Sequence, residues 1–234
     1  MKVKLIAHTQ RAEEVVVSAI RQCYSSLGAI DLQEKTDKET RERLIRQVIE
    51  SGHTSTLEHA TFTFAIEGVS RVTEIQLIRH RLASYSIQSG RYVKRGEVKY
   101  VIPRSIRDDE KLIKKYEKYL ASCNEMYNIL IDKGIKAQDA RYCQPQSLET
   151  KIVVTMNARE LLHFFEKRMC LRAQWEIREM AALMLKEVKK VAPIMFEKAG
   201  ASCVSQGICY EGKMSCGLWE KIPGATLKKR GGGE

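Results

Sequence analysis

The spacing of apolar side chains changes period several times along this chain. Lys2 to Ala7 alternates charged and apolar residues, the period of a half-buried strand, and from about Arg11 to Cys23 the residues Val15, Val16, Ala19 and Ile20 recur at helical intervals. Leu44, Ile45, Val48 and Ile49 mark one face of a second helix over Asp37 to about Ile49, ending near Gly52. Between Ala60 and Glu67, Phe62, Phe64 and Ile66 alternate with Thr61, Thr63 and Ala65, which predicts a strand with one face buried and a turn at Gly68. Ser70 suits the N-cap of a third helix expected to reach about Arg81, with Val72, Ile75 and Ile78 for the core and Gln76, Arg79 and His80 gathered on another face.

Ser84 to Tyr92 reads as a polar loop or irregular strand, and Val98 to Ile102 as a strand stopped by Pro103. Asp108 to Lys133 predicts a long helix with Leu112, Ile113, Tyr116, Leu120, Cys123, Tyr127 and Leu130 at near-helical intervals, closed by Gly134. Lys151 to Met156 is β-branched and strand-like. Asn157 followed three positions later by Glu160 fits an N-cap with its box partner, so a helix starts near Ala158. A last helix from about Ala173 to Val191 carries Trp175, Ile177, Met180, Met184 and Val188 and ends before Pro193. With no internal repeat or Pro/Ser-rich linker, the pattern predicts one mixed α/β (α+β) domain over residues 1–220, a central sheet packed with long helices. Residues 221–234 are expected to be a disordered basic, Gly-rich tail.

Length and composition fit that picture: 234 residues with 44% apolar and 29% charged side chains can bury a core without staples. No apolar run approaches the roughly 20 residues of a membrane-spanning helix, and the N-terminus shows no signal-peptide pattern, so a cytoplasmic protein is expected. Seven cysteines, an odd number spread along the chain, are expected to be free thiols. Lys and Arg exceed Asp and Glu by 40 − 29 = 11, which calls for anionic partners without saying which.

The densest chemistry lies at Gln76, Arg79, His80 and Arg81, followed by Ser84, Ser86, Gln88, Ser89 and Arg91. Basic side chains at a helix end can simply answer its dipole. Guanidinium forks among hydroxyls and amides are also what a phosphate or a uracil-like ring requires. His53, Glu58 and His59 match no zinc spacing, and Cys203-x5-Cys209-x6-Cys216 has three thiols without a nearby histidine, so no metal site is assigned.

Arg79-His80-Arg81, seven residues, then Ser89 reproduces the R-H-R-x7-S signature of the flavin-dependent thymidylate synthases, which this chain resembles. Gly52-His53-Thr54-Ser55-Thr56-Leu57-Glu58-His59 is similar to that family's segment before its aromatic strand, and Ser89-Gly90-Arg91-Tyr92 to its S-x-R-Y ending. Ala140-Arg141 before Pro145, and Asn157-Ala158-Arg159 followed by Arg168 and Ala173-Gln174-Trp175-Glu176-Ile177, resemble two further blocks in the same order. The resemblance implies transfer of the methylene of methylenetetrahydrofolate to C5 of dUMP and its reduction, giving dTMP, with FAD as cofactor and NADPH as the usual reductant. It further implies dUMP binding by Gln76, Arg79, Gln88, Ser89, Gly90, Arg91, Arg141 and Arg168, Arg168 being the catalytic group that polarises the uracil. FAD contacts are implied for Ser55, Arg79, His80, Arg81, Asn157, Arg159 and His163, in a homotetramer with shared sites.

Two positions depart from the family pattern. Ser86-Ile87 stands where members often have Asn-Glu, with Gln88 a possible substitute for the missing carboxylate, and His163 stands where Asn is frequent. Two other readings stay open. One is a basic nucleic-acid-binding protein, with Arg79, Arg81, Arg91, Lys94 and Arg95 on phosphates and Tyr85, Tyr92 and Tyr100 stacking on bases. The other is a flavin-binding relative with altered activity because of Ile87.

Overall fold

The computed structural model describes residues 1–30, 36–91 and 98–228. In chain order the elements are β1 (Lys2–His8), α1 (Ala12–Gln22), α2 (Lys38–Glu50), a 3-10 segment (Thr54–His59), β2 (Thr61–Ser70), α3 (Arg71–Leu77), β3 (Ala83–Ile87), α4 (Glu110–Asp132), β4 (Glu149–Asn157), α5 (Ala158–Arg168), α6 (Trp175–Lys189), β5 (Ile208–Cys209) and β6 (Thr226–Leu227), with a few single-turn helices between them. The main sheet has the order β1-β2-β4-β3, and β5 pairs in parallel with β6. Arg71 N–H donates to Leu148 O at one end of the β2/β4 pair and Ala158 N–H to Ala60 O at the other, which makes that pair antiparallel. The mixed α/β architecture with a central sheet and packed helices is therefore what the periodicity predicts.

Contacts gather the chain into two compact units. The first comprises Met1–Lys2, Ile66–Arg79 and Tyr85–Val153, and the second Val3–Ala65, His80–Ser84 and the chain from Val154 onward. In the second unit the alternation of β2 delivers Phe62 and Phe64 to full burial beside Phe164, Phe165 and Phe196. Their rings meet edge to face, Phe62 on Phe196 at 5.4 Å, Phe165 on Phe196 at 6.0 Å and Phe164 on Phe165 at 5.7 Å. Edge-to-face pairs of this kind add about 0.5–1.5 kcal/mol each beyond area burial. α5 and α6 bury Leu161, Ile177, Met180, Met184 and Val188 in the same core. Asn157 caps α5 by accepting from Glu160 N–H, and Gln174 caps α6 by accepting from Glu176 and Ile177 N–H.

In the first unit α4 is capped by Asp109, which accepts from Lys111 and Leu112 N–H. Only Leu120 and Tyr127 of this long helix are buried, while Leu112, Tyr119, Met126 and Ile129 are exposed. Ser70 caps α3 as expected, but the helix stops at Leu77 rather than Arg81, and its inward face is Thr73, Glu74 and Leu77. Val72, Ile75 and Ile78 are therefore not core. They lie on the opposite stripe, 37%, 39% and 39% exposed, because 73 and 77 sit one turn apart on the face that meets the unit.

Other expectations shift too. The polar stretch after Arg81 contains strand β3, its alternation half-buried at Ala83, Tyr85 and Ile87, with Tyr85 Oη donating to Leu77 O at 2.9 Å. The strand predicted at Val98 to Ile102 reduces to one bridge between Tyr100 and Leu148. Residues 221–228 are ordered rather than tail, since Leu227 of β6 packs with Trp219 and Ile222 on buried Cys203 and Cys209. Residues 229–234 lie outside the described residues, as do Tyr92, Lys94 and Arg95.

Gly68, predicted to turn the chain, lies inside β2 with φ +74°, and a Cβ there would sit 3.2 Å from Met1 Cα. Gly134, past the end of α4, has φ +81° and open space around it. Both pay the left-handed penalty of about 1 kcal/mol on substitution by alanine. Gly68→Ala adds a backbone clash and is expected to lose about 2–3 kcal/mol in urea unfolding, more than Gly134→Ala; equal losses would show that the Met1 contact is not constraining.

Candidate functional site

Arg79-His80-Arg81 occupies the turn between α3 and β3, with Arg79 and Arg81 exposed and His80 buried. Its imidazole lies against α5, where Glu160, Phe164 and Arg168 stand one turn apart on a single face. Arg168 Nε donates to His80 Nε2 at 2.9 Å. A guanidinium N–H can only donate, so Nε2 carries the lone pair and the ring proton belongs on Nδ1, which faces Glu160 Oε1 at 3.3 Å. Phe164 closes the ring edge-on at 4.9 Å, and His163 stands at 5.9 Å.

The electrostatics agree with this tautomer. Burial first, then the charges of Arg168 and His163, push the His80 pKa down from 6.5 to about 4. His80 is therefore neutral near pH 7, and its 3.3 Å contact with Glu160 is not an ion pair. Burial raises the Glu160 carboxyl above its ordinary range, with His163 opposing, and burial lowers the Arg168 guanidinium. Side chains of His80 and Glu160 are only 5% and 7% exposed, so these groups depend on each other for solvation.

The remaining positions fall into two groups. In the second unit, Arg159 and His163 both line a cavity of about 550 Å³ together with Thr54, Leu162, Ile194 and Lys198. Arg159 Nη1 also reaches Glu58 Oε1 at 2.5 Å, a pair about half exposed and so of small energetic weight. Ser55 is exposed in the 3-10 segment next to Thr54, and the Asn157 side-chain oxygen is occupied as the α5 cap. The cavity lining mixes apolar Leu162 and Ile194 with the cations Arg46, Arg159 and Lys198 and the carboxylates Glu50, Glu166 and Glu197, and within it Arg46 pairs with Glu197 and Lys198 with Glu50.

In the first unit, Gln76 is half-buried on α3, and Gln88, Ser89, Gly90 and Arg91 follow β3. Gln88 N–H donates to Lys151 O at 2.9 Å, and Ser89 Oγ accepts from Arg91 N–H at 3.2 Å. Arg141 Nε donates to Gln138 O, and its aliphatic stem lies so close to Gly90 that an added Cβ would be 3.3 Å from Arg141 Cδ. The structure thus brings Gly90 to Arg141.

Glu160 is the residue the sequence pattern does not single out. Asn157-x-x-Glu160 reads as a capping box, yet only half of the box forms: Glu160 N–H donates to Asn157, while the carboxylate turns to His80. Among the described residues no group of His, Cys, Asp or Glu is placed to hold a metal ion, and no helix is long and apolar enough to cross a membrane.

Comparison with known proteins starts from a family described as "Thymidylate synthase complementing protein", which matches residues 4–194. A protein of Geobacter sulfurreducens named "Flavin-dependent thymidylate synthase" is 48% identical over 219 residues, 93% of this chain and 94% of its own length. The chain belongs to the flavin-dependent thymidylate synthase family. A second member, from Pyrococcus furiosus, is 41% identical over 237 residues, covering 98% of this chain and 94% of its own. Among solved structures, the UMP/dUMP methylase PolB of Streptomyces cacaoi, bound with 5-Br dUMP, superposes with TM-score 0.74 at 27% identity, covering 84% of this chain and 93% of that one. The R-H-R signature of this flavin-dependent thymidylate synthase family member is thus split in space, two exposed arginines around one buried histidine.

The depressed His80 pKa has a signed consequence for stability. Its neutral form contributes fully above 6.5 and the contribution is lost as pH falls towards about 4, where the folded ring protonates. Glu160, whose carboxyl is raised in the fold, opposes part of this loss. Thermal melts from neutral pH to about pH 4 should therefore show a falling Tm that is flatter in His80→Asn; an unchanged slope would contradict a buried neutral imidazole.

Proposed function

We propose that this chain converts dUMP to dTMP, taking the carbon from methylenetetrahydrofolate, with FAD as redox cofactor and NADPH as reductant. The observation that carries the reading is Arg168, half-buried and tethered through Nε, with its guanidinium lowered by burial in the block that the family uses for the uracil ring. Attack from C5 of a uracil needs negative charge on the ring oxygens and N3 to be stabilised, and a desolvated guanidinium held in one orientation does this without reorganising. Bound FAD supplies the electrons that turn the transferred methylene into a methyl group.

The other assignments follow the family blocks. Gln76, Arg79, Gln88, Ser89, Gly90, Arg91 and Arg141 hold dUMP, their guanidinium forks suited to its phosphate. Ser55, Arg79, His80, Arg81, Asn157, Arg159 and His163 surround FAD, with Arg159 and His163 on the wall of the 550 Å³ cavity. The synthase domain spans residues 1–220. The enzyme works in the cytoplasm as a homotetramer, an assembly favoured by the apolar side chains left outside on α3 and α4.

Flavin-stripped protein given dUMP, methylenetetrahydrofolate and NADPH without oxygen should form dTMP only after FAD is added back. Absence of product from protein that rebinds FAD would overturn the proposal. Arg168→Ala should lower dTMP formation by roughly 100-fold or more, the scale of losing a preorganised donor, while the flavin spectrum stays close to wild type; loss of both would instead report a damaged fold.

A further inference from the structure

We propose that Cys170 and Cys216 are an oxidation site: a peroxide joins them in a disulfide that fastens the turn after α5 to the lobe built on β5 and β6. All seven cysteines are free thiols in the structure, and four of them, from three separate stretches of chain, gather at this lobe. Cys203 and Cys209 are buried with Ala201, and Cys170 packs against that cluster from the turn after α5. Cys209 Sγ lies 3.5 Å from Ser215 Oγ, which brings the neighbouring Cys216 to the same place. Arg172 Nε stands 3.8 Å from Glu211 Oε2, a second tie between turn and lobe.

The thiols also feel one another's charge. Burial raises the Cys170 thiol above its ordinary range, the Arg172 backbone N–H opposes this, and Glu211, then Cys216, then Cys209 add to it. Burial likewise raises Cys203, with Cys209, Cys170 and Cys216 adding. No three of the described side chains are placed to share a metal ion, whereas a disulfide needs only two.

Exposure decides which thiol reacts first. Cys203 and Cys209 are 7% and 6% exposed, so a dissolved oxidant does not reach them. Cys216 is exposed and Cys170 half-buried. Oxidation therefore starts at Cys216, whose sulfur attacks the peroxide O–O bond to give a sulfenic acid and water. The Cys170 sulfur then attacks the Cys216 sulfur, the S–O bond breaks, and the Cys170 proton leaves with the hydroxyl as a second water. Two thiols and one hydrogen peroxide become a disulfide and two waters, with two electrons passing from sulfur to oxygen.

The bond matters because of what it joins. Cys170 lies two residues beyond Arg168, the end of α5, and Met169 between them packs on the same lobe. The lobe has little of its own to hold it, since β5 and β6 are two residues each and two of the three members of its buried cluster are cysteines. A crosslink from 170 to 216 removes freedom from both sides and pulls on the helix end that carries Arg168. The effect on turnover rests on the assignment of Arg168 to dUMP; the bond itself does not.

The test treats the full-length holoenzyme with hydrogen peroxide, blocks remaining thiols with N-ethylmaleimide and maps peptides by mass spectrometry, alongside dTMP formation before oxidation, after it and after reduction with dithiothreitol. A linked peptide joining Cys170 to Cys216 should form in wild type, vanish on reduction and be absent from Cys170→Ser and Cys216→Ser. Wild-type dTMP formation should fall about 10-fold on oxidation, the scale of a displaced reacting group, and recover on reduction, while Cys170→Ser keeps its activity through the same treatment.

Seven thiols still open to N-ethylmaleimide after oxidation, or a bond confined to Cys203 and Cys209, would overturn the site without any variant having to fold. So would a zinc ion found bound to these thiols in the purified protein. Equal loss of activity in wild type and Cys170→Ser would overturn the link to Arg168. Because the peptide map does not use turnover, a reduced enzyme that makes no dTMP would count against the synthase reading alone.

Discussion

A neutral imidazole held between a carboxylate and a guanidinium is the interaction on which the site depends. His80 is buried, and both of its ring nitrogens are engaged by side chains of α5, Glu160 on Nδ1 and Arg168 on Nε2. Protonating the ring would put a cation beside Arg168 in a desolvated space, which is why its pKa falls to about 4. The same desolvation leaves Arg168 a stronger partner for developing negative charge than an exposed arginine would be.

The fold supplies this arrangement by ordinary means. Asn157 starts α5 at the end of β4, so the strand that builds the sheet also fixes where the first turn of the helix presents Glu160. From Phe62 through Phe196, Phe165 and Phe164, edge-to-face rings run through the core and end on His80. The imidazole is thus the last member of an aromatic chain and the first member of a polar one. Rigidity is taken from the core, and only the final guanidinium is left partly accessible.

Much of this was legible in the chain itself. The alternation of Phe62, Phe64 and Ile66, the caps at Ser70 and Asn157, and the helical stripes of α1, α2 and α6 all report local physics, and the observed elements follow them closely. Failures came where a residue's environment is set by distant parts of the chain. Val72, Ile75 and Ile78 have helical spacing that suits a core, but periodicity cannot tell a stripe that packs within its own chain from one left outside. Ordered β6 escaped because Gly- and Lys-rich composition outweighs the single Leu227 that packs with Trp219 and Ile222. At the site, Arg168 and His80 are marked by family blocks, whereas Glu160 looks like half of a capping box, and its contact 80 residues back along the chain has no local signature.

The account makes a geometric claim about where Arg168 points, and one structure tests it most directly: the protein crystallised with FAD and dUMP. The prediction is a uracil ring with an oxygen on the terminal amino groups of Arg168, while Arg168 Nε remains on His80 Nε2 and His80 Nδ1 on Glu160. A complex in which Arg168 has left His80 to reach the nucleotide, or in which dUMP lies away from Arg168, would contradict it.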